Sequence, residues 1–257
     1  MISPTSLALV RHGESTWVAD GRFQGQADPP LTDIGRRQAR AIGARLAAPG
    51  APPAVPLPDV PPVAIWHSPL RRATETAQAI HEAREADAPL RPLETLLEIS
   101  QGEWEGLTHD EVSSRYPDHL RGWLSDPLHH HAPGGEPLPE AFDRARRALD
   151  TILGGSRGGA GDDAPMGPGR VAAEQPVDLV LGYGAANPSR GRPSWAVVVA
   201  HDGILRLLAL ATLGVSVERF WSFPFALAAI SVLDLSGGVA RLRAHNLDEH
   251  LAAIVGR

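Results

Sequence analysis

Ser6-Leu7-Ala8-Leu9-Val10-Arg11-His12-Gly13-Glu14-Ser15 is the stretch on which the reading of the fold turns. Residues 6 to 10 form a short apolar run, and Arg11-His12-Gly13 ends it with charged and turn-forming residues. The pattern predicts a buried strand whose C-terminal end opens into a loop, with His12 at the strand tip.

The same grammar recurs along the chain. Thr32 opens a stretch to Leu46 with apolar positions at Ile34, Ala39, Ile42 and Leu46, the spacing of an amphipathic helix capped by a hydroxyl. Val63 to Trp66 reads as a second buried strand. It leads into Ser68-Pro69, a serine cap and a first-turn proline for a helix running to about Ala83. Helical signals return from Thr108 to Tyr116 and from Pro139 to Leu153, separated by the turn-like Ala132-Pro133-Gly134-Gly135. Trp195 to Ala200 is a third buried strand, ending at His201-Asp202-Gly203 and followed by an apolar helix from Ile204 to Leu213. Leu227 to Leu235 and Val239 to His245 flank Ser236-Gly237-Gly238, a hairpin signal at one edge of the sheet.

Strands that alternate with helices predict an α/β protein: a three-layer α/β/α sandwich around a mainly parallel central sheet with an antiparallel edge strand. A single domain is expected over 1–257. It carries a Pro-rich insertion at about 47–62, read as a surface excursion, and a Gly/Pro-rich insertion at about 154–194. Within the second, Val177 to Leu181 has the pattern of a short strand. No internal repeat is evident.

Composition excludes several classes. The net charge of -6 lacks the basic surplus of a protein built to neutralise nucleic-acid phosphates. All 24 basic residues are arginine, so any phosphate contact must use guanidinium, imidazole or backbone N–H. The absence of cysteine removes thiolate nucleophiles, disulfides and thiolate-held metals. The longest apolar stretch, Trp195 to Leu213, is interrupted by His201, Asp202 and Arg206, which argues against a membrane span. Met1 to Val10 lacks a basic leader, so the cytoplasm is the expected address.

In open α/β sheets ligands bind beyond the carboxyl ends of the strands, and three such ends here deliver Arg11-His12, the Ser68 to Arg72 turn and His201. A phosphate monoester is a dianion, so its site calls for arginine forks, backbone N–H groups and imidazoles, with a nucleophile in line with the leaving oxygen. Arg11, Arg72, His12 and His201 match that description.

These residues resemble the histidine phosphatase superfamily, the group that includes cofactor-dependent phosphoglycerate mutases. The resemblance runs through Arg11-His12-Gly13, Arg22-Phe23-Gln24-Gly25, Leu31-Thr32-Asp33-Ile34-Gly35 and Ser68-Pro69-Leu70-Arg71-Arg72-Ala73. It continues in Leu97-Glu98, Gly102-Glu103-Trp104-Glu105-Gly106, Pro133-Gly134-Gly135-Glu136 and His201-Asp202-Gly203. It implies a phosphoglycerate mutase-like fold and a phosphomonoester hydrolase that works through a phosphohistidine, with neither metal nor cofactor. The implied roles are His12 as nucleophile, Arg11 and Arg72 as phosphate clamps, His201 as a further phosphate ligand and Glu98 as proton donor. Ser15, Arg22, Gln24, Gly25 and Asp202 are assigned to substrate binding.

Physical chemistry agrees with these roles. Neighbouring guanidinium charges keep an imidazole neutral and nucleophilic, and a carboxyl after the apolar Leu96-Leu97 can be held protonated by partial desolvation. Glu103 ranks well behind Glu98 as the acid, because Trp104 between Glu103 and Glu105 suggests a turn with exposed carboxylates. His129-His130-His131, without matched carboxylates, reads as a solvated loop, and the tryptophans as core or pocket wall. Many members of the superfamily carry Asn six residues after the nucleophile. Val18 stands there in this chain, so one phosphate contact is missing or is replaced by Gln24 or Ser15. The expected partner is a small phosphorylated metabolite, with no nucleic acid and no membrane, and a homodimer is compatible with the sequence. Two alternatives share the same residues: phosphoglycerate mutase-type transfer, and a non-catalytic member that binds phospho-ligands.

Overall fold

The computed structural model describes residues 3–84, 88–154, 193–236 and 239–255. In chain order the elements are β1 (Ser6–Arg11), α1 (Thr16–Ala19), α2 (Asp33–Ala47), β2 (Ile65–His67), α3 (Arg71–Ala83) and β3 (Leu90–Pro92). Then come α4 (His109–Arg115), α5 (Pro117–Ser125), α6 (Leu138–Ile152), β4 (Trp195–Ala200), α7 (Asp202–Leu213), β5 (Ile230–Asp234), β6 (Arg241–Leu247) and α8 (Ala252–Val255).

Among the described residues the strands form one sheet in the order β3-β2-β4-β1-β5-β6. β3, β2, β4 and β1 are parallel; β5 runs antiparallel to β1, and β6 antiparallel to β5. The strand that opposes the rest is thus β5, one place in from the edge. Strand periodicity then builds the layers. Leu7 and Leu9 of β1, with Ala196, Val198 and Ala200 of β4, pack with α6 and α7, while Ala8, Val10, Val197 and Val199 pack with α2 and α3. A sheet covered on both faces needs near-continuous apolar strands, and this is why residues 6–10 and 195–200 show no polar alternation.

The predicted amphipathic helix is α2, with Thr32 as its cap: the Thr32 hydroxyl accepts from the Gly35 N–H at 3.0 Å. Ile34 proves exposed rather than core. Ser68 does not cap α3; the capping position falls to Leu70, without a side-chain bond, and the Ser68 hydroxyl serves His201 instead. Four elements go beyond the sequence reading: the short helices α1 and α8, the short strand β3, and helix α5, which starts at Pro117 just after α4. Residues 47–62 are held on the core by buried Val55 and by the Trp195 indole, which donates to the Val60 carbonyl at 2.7 Å. The expected strand at Val177 to Leu181 and most of the 154–194 insertion lie outside the described residues, as do Gly237 and Gly238 of the hairpin turn.

The loop after β1 is pinned from two sides. The Gly13 N–H donates to the Thr76 hydroxyl of α3, and the Glu14 N–H to Gln38 Oε1 of α2. A Cβ at Gly35 would fall on the Glu14 carbonyl oxygen, so the first turn of α2 approaches this loop as closely as a backbone can. That contact fixes where the chain leaves His12.

Candidate active site

Parallel pairing brings three strand ends side by side, with β4 between β2 and β1. The His12 N–H donates to the Ala200 carbonyl and the Ser68 N–H to the Val199 carbonyl, so the ladder bonds continue one residue past the strands. His12, Ser68 and His201 are therefore placed by the sheet itself, and all three are buried.

His12 Nδ1 lies 2.7 Å from the Gly13 carbonyl oxygen. A carbonyl only accepts, so Nδ1 carries the proton and the lone pair is on Nε2. Burial first, then the charges of Arg72 and Arg11, hold the pKa of this imidazole well below the ordinary histidine value. The ring is neutral at physiological pH, with a free nucleophilic nitrogen.

His201 is fixed in the complementary way. The Arg72 Nε–H donates to His201 Nδ1 at 3.2 Å, so the ring proton is on Nε2, 2.8 Å from Ser68 Oγ. Burial and the same guanidiniums depress its pKa as well. Its ring centroid is 5.1 Å from that of His12. Both nitrogens of His201 are thus engaged with protein groups.

Arg72 is fully buried at the start of α3, whereas Arg71 is exposed. Its NH1 and NH2 groups donate to the Ala27 and Gly25 carbonyls at 2.7 and 2.8 Å, which leaves one N–H on each for a ligand. Burial draws its pKa down to about 10, and it remains a cation at neutral pH. The loop supplying those carbonyls is itself held by Glu105, which accepts from the Gln26, Ala27 and Gln101 N–H groups at 3.0 to 3.1 Å. Glu105 is therefore a strut rather than an exposed carboxylate, while Glu103 is exposed and accepts from the Tyr116 hydroxyl. Arg11 donates through NH1 to the Phe225 carbonyl at 2.7 Å, and its Nε is buried without a partner among the described residues. An unmatched buried guanidinium donor beside a cavity marks a place for an anion.

Glu98 approaches from the opposite side. Its Oε1 accepts from the Ile99 and Ile204 N–H groups at 2.9 and 3.0 Å, and Oε2 from the Gly203 N–H at 3.1 Å. A carboxylate has about four acceptor positions, so the one left open is on Oε2. Burial, reinforced by Asp202, raises this carboxyl above its usual range; the Ile99 and Gly203 N–H groups and Arg72 oppose the shift without cancelling it. A Cβ at Gly203 would lie 2.6 Å from Glu98 Oε1, so the carboxyl needs a glycine at this point of α7. Behind it, Arg144 donates to the Leu97 and Glu98 carbonyls at 2.6 and 3.2 Å and is braced by Glu136 at 2.6 Å.

A cavity of about 320 Å³ opens over these groups. Of the ten residues the sequence nominated, Arg11, His12, Arg22, Gln24, Gly25, Arg72, Glu98 and Asp202 line it. His201 does not reach the wall and stands behind His12 and Arg72. Ser15 is also withheld: it is buried, caps α1 at Val18 and donates to Gln24 Oε1 at 2.5 Å. Gln24 therefore turns its Nε2 donors free of that bond, and Val18 forms part of the wall. Asp202 is no ordinary cap. It binds Arg206 through both oxygens, at 2.9 and 2.8 Å, and accepts from the Phe225 N–H.

The outer wall is made by Phe23, His109, Trp123, Arg206, Phe220 and Trp221; sequence reasoning had the tryptophans as core or pocket wall and missed the parts played by Phe23, His109, Arg206 and Phe220. Arg206 had a usable signal, since it lies four residues after Asp202 in an otherwise apolar helix. The aromatic residues had none, because Phe220 and Trp221 follow no helical or strand period. His129 and His130 both turn back onto Asp126.

Comparison with known proteins follows the same lines. The sequence profile of the histidine phosphatase superfamily (branch 1) matches residues 7–160 and 180–248. Phosphoserine phosphatase 1 of Hydrogenobacter thermophilus is 29% identical over 229 residues, 89% of this chain and 86% of that protein. A glucosyl-3-phosphoglycerate phosphatase of Mycolicibacterium vanbaalenii is 29% identical over 234 residues, 90% of this chain and 84% of its own length. Among solved structures, Bacillus stearothermophilus YhfR superposes with a TM-score of 0.71 at 25% identity, covering 96% of this chain and 98% of that one. The match spans both the strand ends that carry the site and the helices that brace them, and the chain belongs to the histidine phosphatase superfamily, branch 1.

Proposed function

We propose that this protein is a phosphomonoester hydrolase that transfers the phosphoryl group of a small metabolite to His12 and then to water. The observation that carries the reading is the neutral His12 ring. Its Nδ1 proton is pinned on the Gly13 carbonyl, leaving an Nε2 lone pair on a ring that lines, together with Arg11 and Arg72, a cavity that also holds a carboxyl of raised pKa.

The steps follow from the placement of these groups. The phosphate dianion occupies the positive floor formed by Arg11 and Arg72, where their unspent N–H donors neutralise its oxygens. Nε2 attacks phosphorus in line with the ester oxygen; the P–N bond forms as the P–O bond breaks. Protonated Glu98 gives its Oε2 proton to the departing alkoxide, and the bound dianion favours that protonated state beforehand. Water then takes the alcohol's place. Ionised Glu98 removes a proton from it, the oxygen attacks phosphorus, and neutral imidazole leaves as phosphate forms. His201 acts by holding Arg72 Nε and closing the floor beside His12. Charge neutralisation by arginine gives the phosphoryl group the electrostatic support that a divalent cation supplies elsewhere. The assay that tests the reading is phosphate release from p-nitrophenyl phosphate and from a panel of metabolite phosphates in the presence of a metal chelator. Release dependent on His12 supports it, and phosphate binding without turnover overturns it.

Val18 offers a gain-of-function check. It lines the cavity at the position where many members of the superfamily carry Asn. Val18→Asn adds one hydrogen bond to a charged group, about 1.5–3 kcal/mol, so kcat/KM should rise about ten-fold or more. An unchanged kcat/KM would mean that Gln24 already supplies that contact.

A further inference from the structure

Beyond the phosphate floor, the cavity wall is aromatic. Trp123 of α5 and Phe220 are buried, with ring centroids 5.6 Å apart, and Trp221 stands edge-on to both at 5.6 and 4.8 Å. Trp221 is 39% exposed, and of the exposed large apolar residues among those described it is the one on the cavity wall. Both arginines of this wall already hold protein acceptors. Arg206 is doubly bonded to Asp202 and lies over the Phe220 and Trp221 rings, its Cζ 5.5 and 5.1 Å from their centroids. Arg22 donates to the Gly106 carbonyl at 2.6 Å, with Glu111 3.7 Å away.

A leaving group that carries a second negative charge, such as a carboxylate, would therefore compete with acceptors these cations already hold, Asp202 on Arg206 and the Gly106 carbonyl on Arg22. A flat uncharged one finds on the cavity wall a partly exposed indole, backed by Arg206 and framed by Trp123 and Phe220. Stacking there covers apolar surface that otherwise faces water, and it demands no rearrangement of the Asp202–Arg206 pair. Resting on the phosphatase reading above, we infer that the preferred substrates are phosphate monoesters of aromatic or otherwise flat, uncharged alcohols, and that Trp221 determines this specificity.

The test must separate binding from leaving-group chemistry, so it uses alkyl esters whose departing alkoxides are of similar basicity: benzyl phosphate, ethyl phosphate, phosphoserine and 3-phosphoglycerate. Benzyl phosphate is expected to have the highest kcat/KM. Trp221→Ala should lower the benzyl-to-ethyl ratio of kcat/KM about ten-fold, and Trp221→Phe should restore most of it. Trp221 is partly exposed, so neither substitution opens a cavity in the core. Preference for phosphoserine or 3-phosphoglycerate, or a ratio that Trp221→Ala leaves unmoved, overturns the inference while His12-dependent hydrolysis stands. Failure of all four esters together with p-nitrophenyl phosphate overturns the phosphatase reading and this inference with it.

Discussion

His12→Ala is expected to abolish phosphate release from every ester, with a loss in kcat on the order of a million-fold. The size follows from the geometry. In the proposed mechanism Nε2 of His12 forms the only new bond to phosphorus in the first step, and His201 has both nitrogens committed, one to Arg72 and one to Ser68. The arginine floor survives the substitution, so inorganic phosphate or vanadate should still bind. Far-UV circular dichroism and the thermal midpoint separate this loss from misfolding, since removing a buried ring costs stability as well. Residual turnover within a hundred-fold of the parent would point to a different nucleophile.

The second large effect belongs to Glu98→Gln, and it should depend on the substrate. An alkoxide needs the Oε2 proton, so kcat/KM for an alkyl ester should fall by about 10²–10⁴-fold. p-Nitrophenoxide leaves without help, so the first step survives with that ester. The second step, which needs the carboxylate as base, does not. Stopped-flow absorbance should then show a burst approaching one p-nitrophenol per active site, followed by slow release.

The pH profile of the parent carries the same assignment. The proposed mechanism requires the acid form of Glu98 for attack on an alkyl ester, and its pKa is raised, so activity should persist above the usual carboxylate range and be lost as pH rises through the raised value. The His12 limb lies on the acid side, because a depressed pKa keeps the ring neutral until pH falls well below the ordinary histidine value. Loss of the basic limb in Glu98→Gln assigns it; a basic limb that persists contradicts the assignment.

Much of this was legible in the sequence, for physical reasons. A strand buried on both faces must be almost wholly apolar, so residues 6–10 and 195–200 declared themselves, and their polar successors marked the strand tips. Thr32 was readable as a cap because a hydroxyl before a helical period has few other uses. Arg72 was separable from Arg71 only through the resemblance, because adjacent helical residues look alike until burial distinguishes them. Ser68 shows the limit of local reading. A serine before Pro69 has the form of a cap, but here a histidine from a strand 133 residues away takes its hydroxyl. Glu105 misled for the same reason, since its backbone partners come from residues 26 and 27. The tryptophans were readable only as core or pocket wall, without a choice between the two, because the aromatic wall assembles from α5 and the segment after α7, which meet only in the folded chain.

In the proposed reaction phosphate passes through His12 Nε2. Glu98→Gln enzyme, mixed with p-nitrophenyl phosphate and quenched in alkali during the burst, should carry close to one phosphoryl group per chain, stable to base and labile to acid. Peptide mass spectrometry should place it on the segment containing His12, and NMR of that peptide should place it on Nε2, because Nδ1 is occupied by the Gly13 carbonyl. A phosphoryl group on any other residue, or p-nitrophenol release with no phosphorylated chain, would contradict the account.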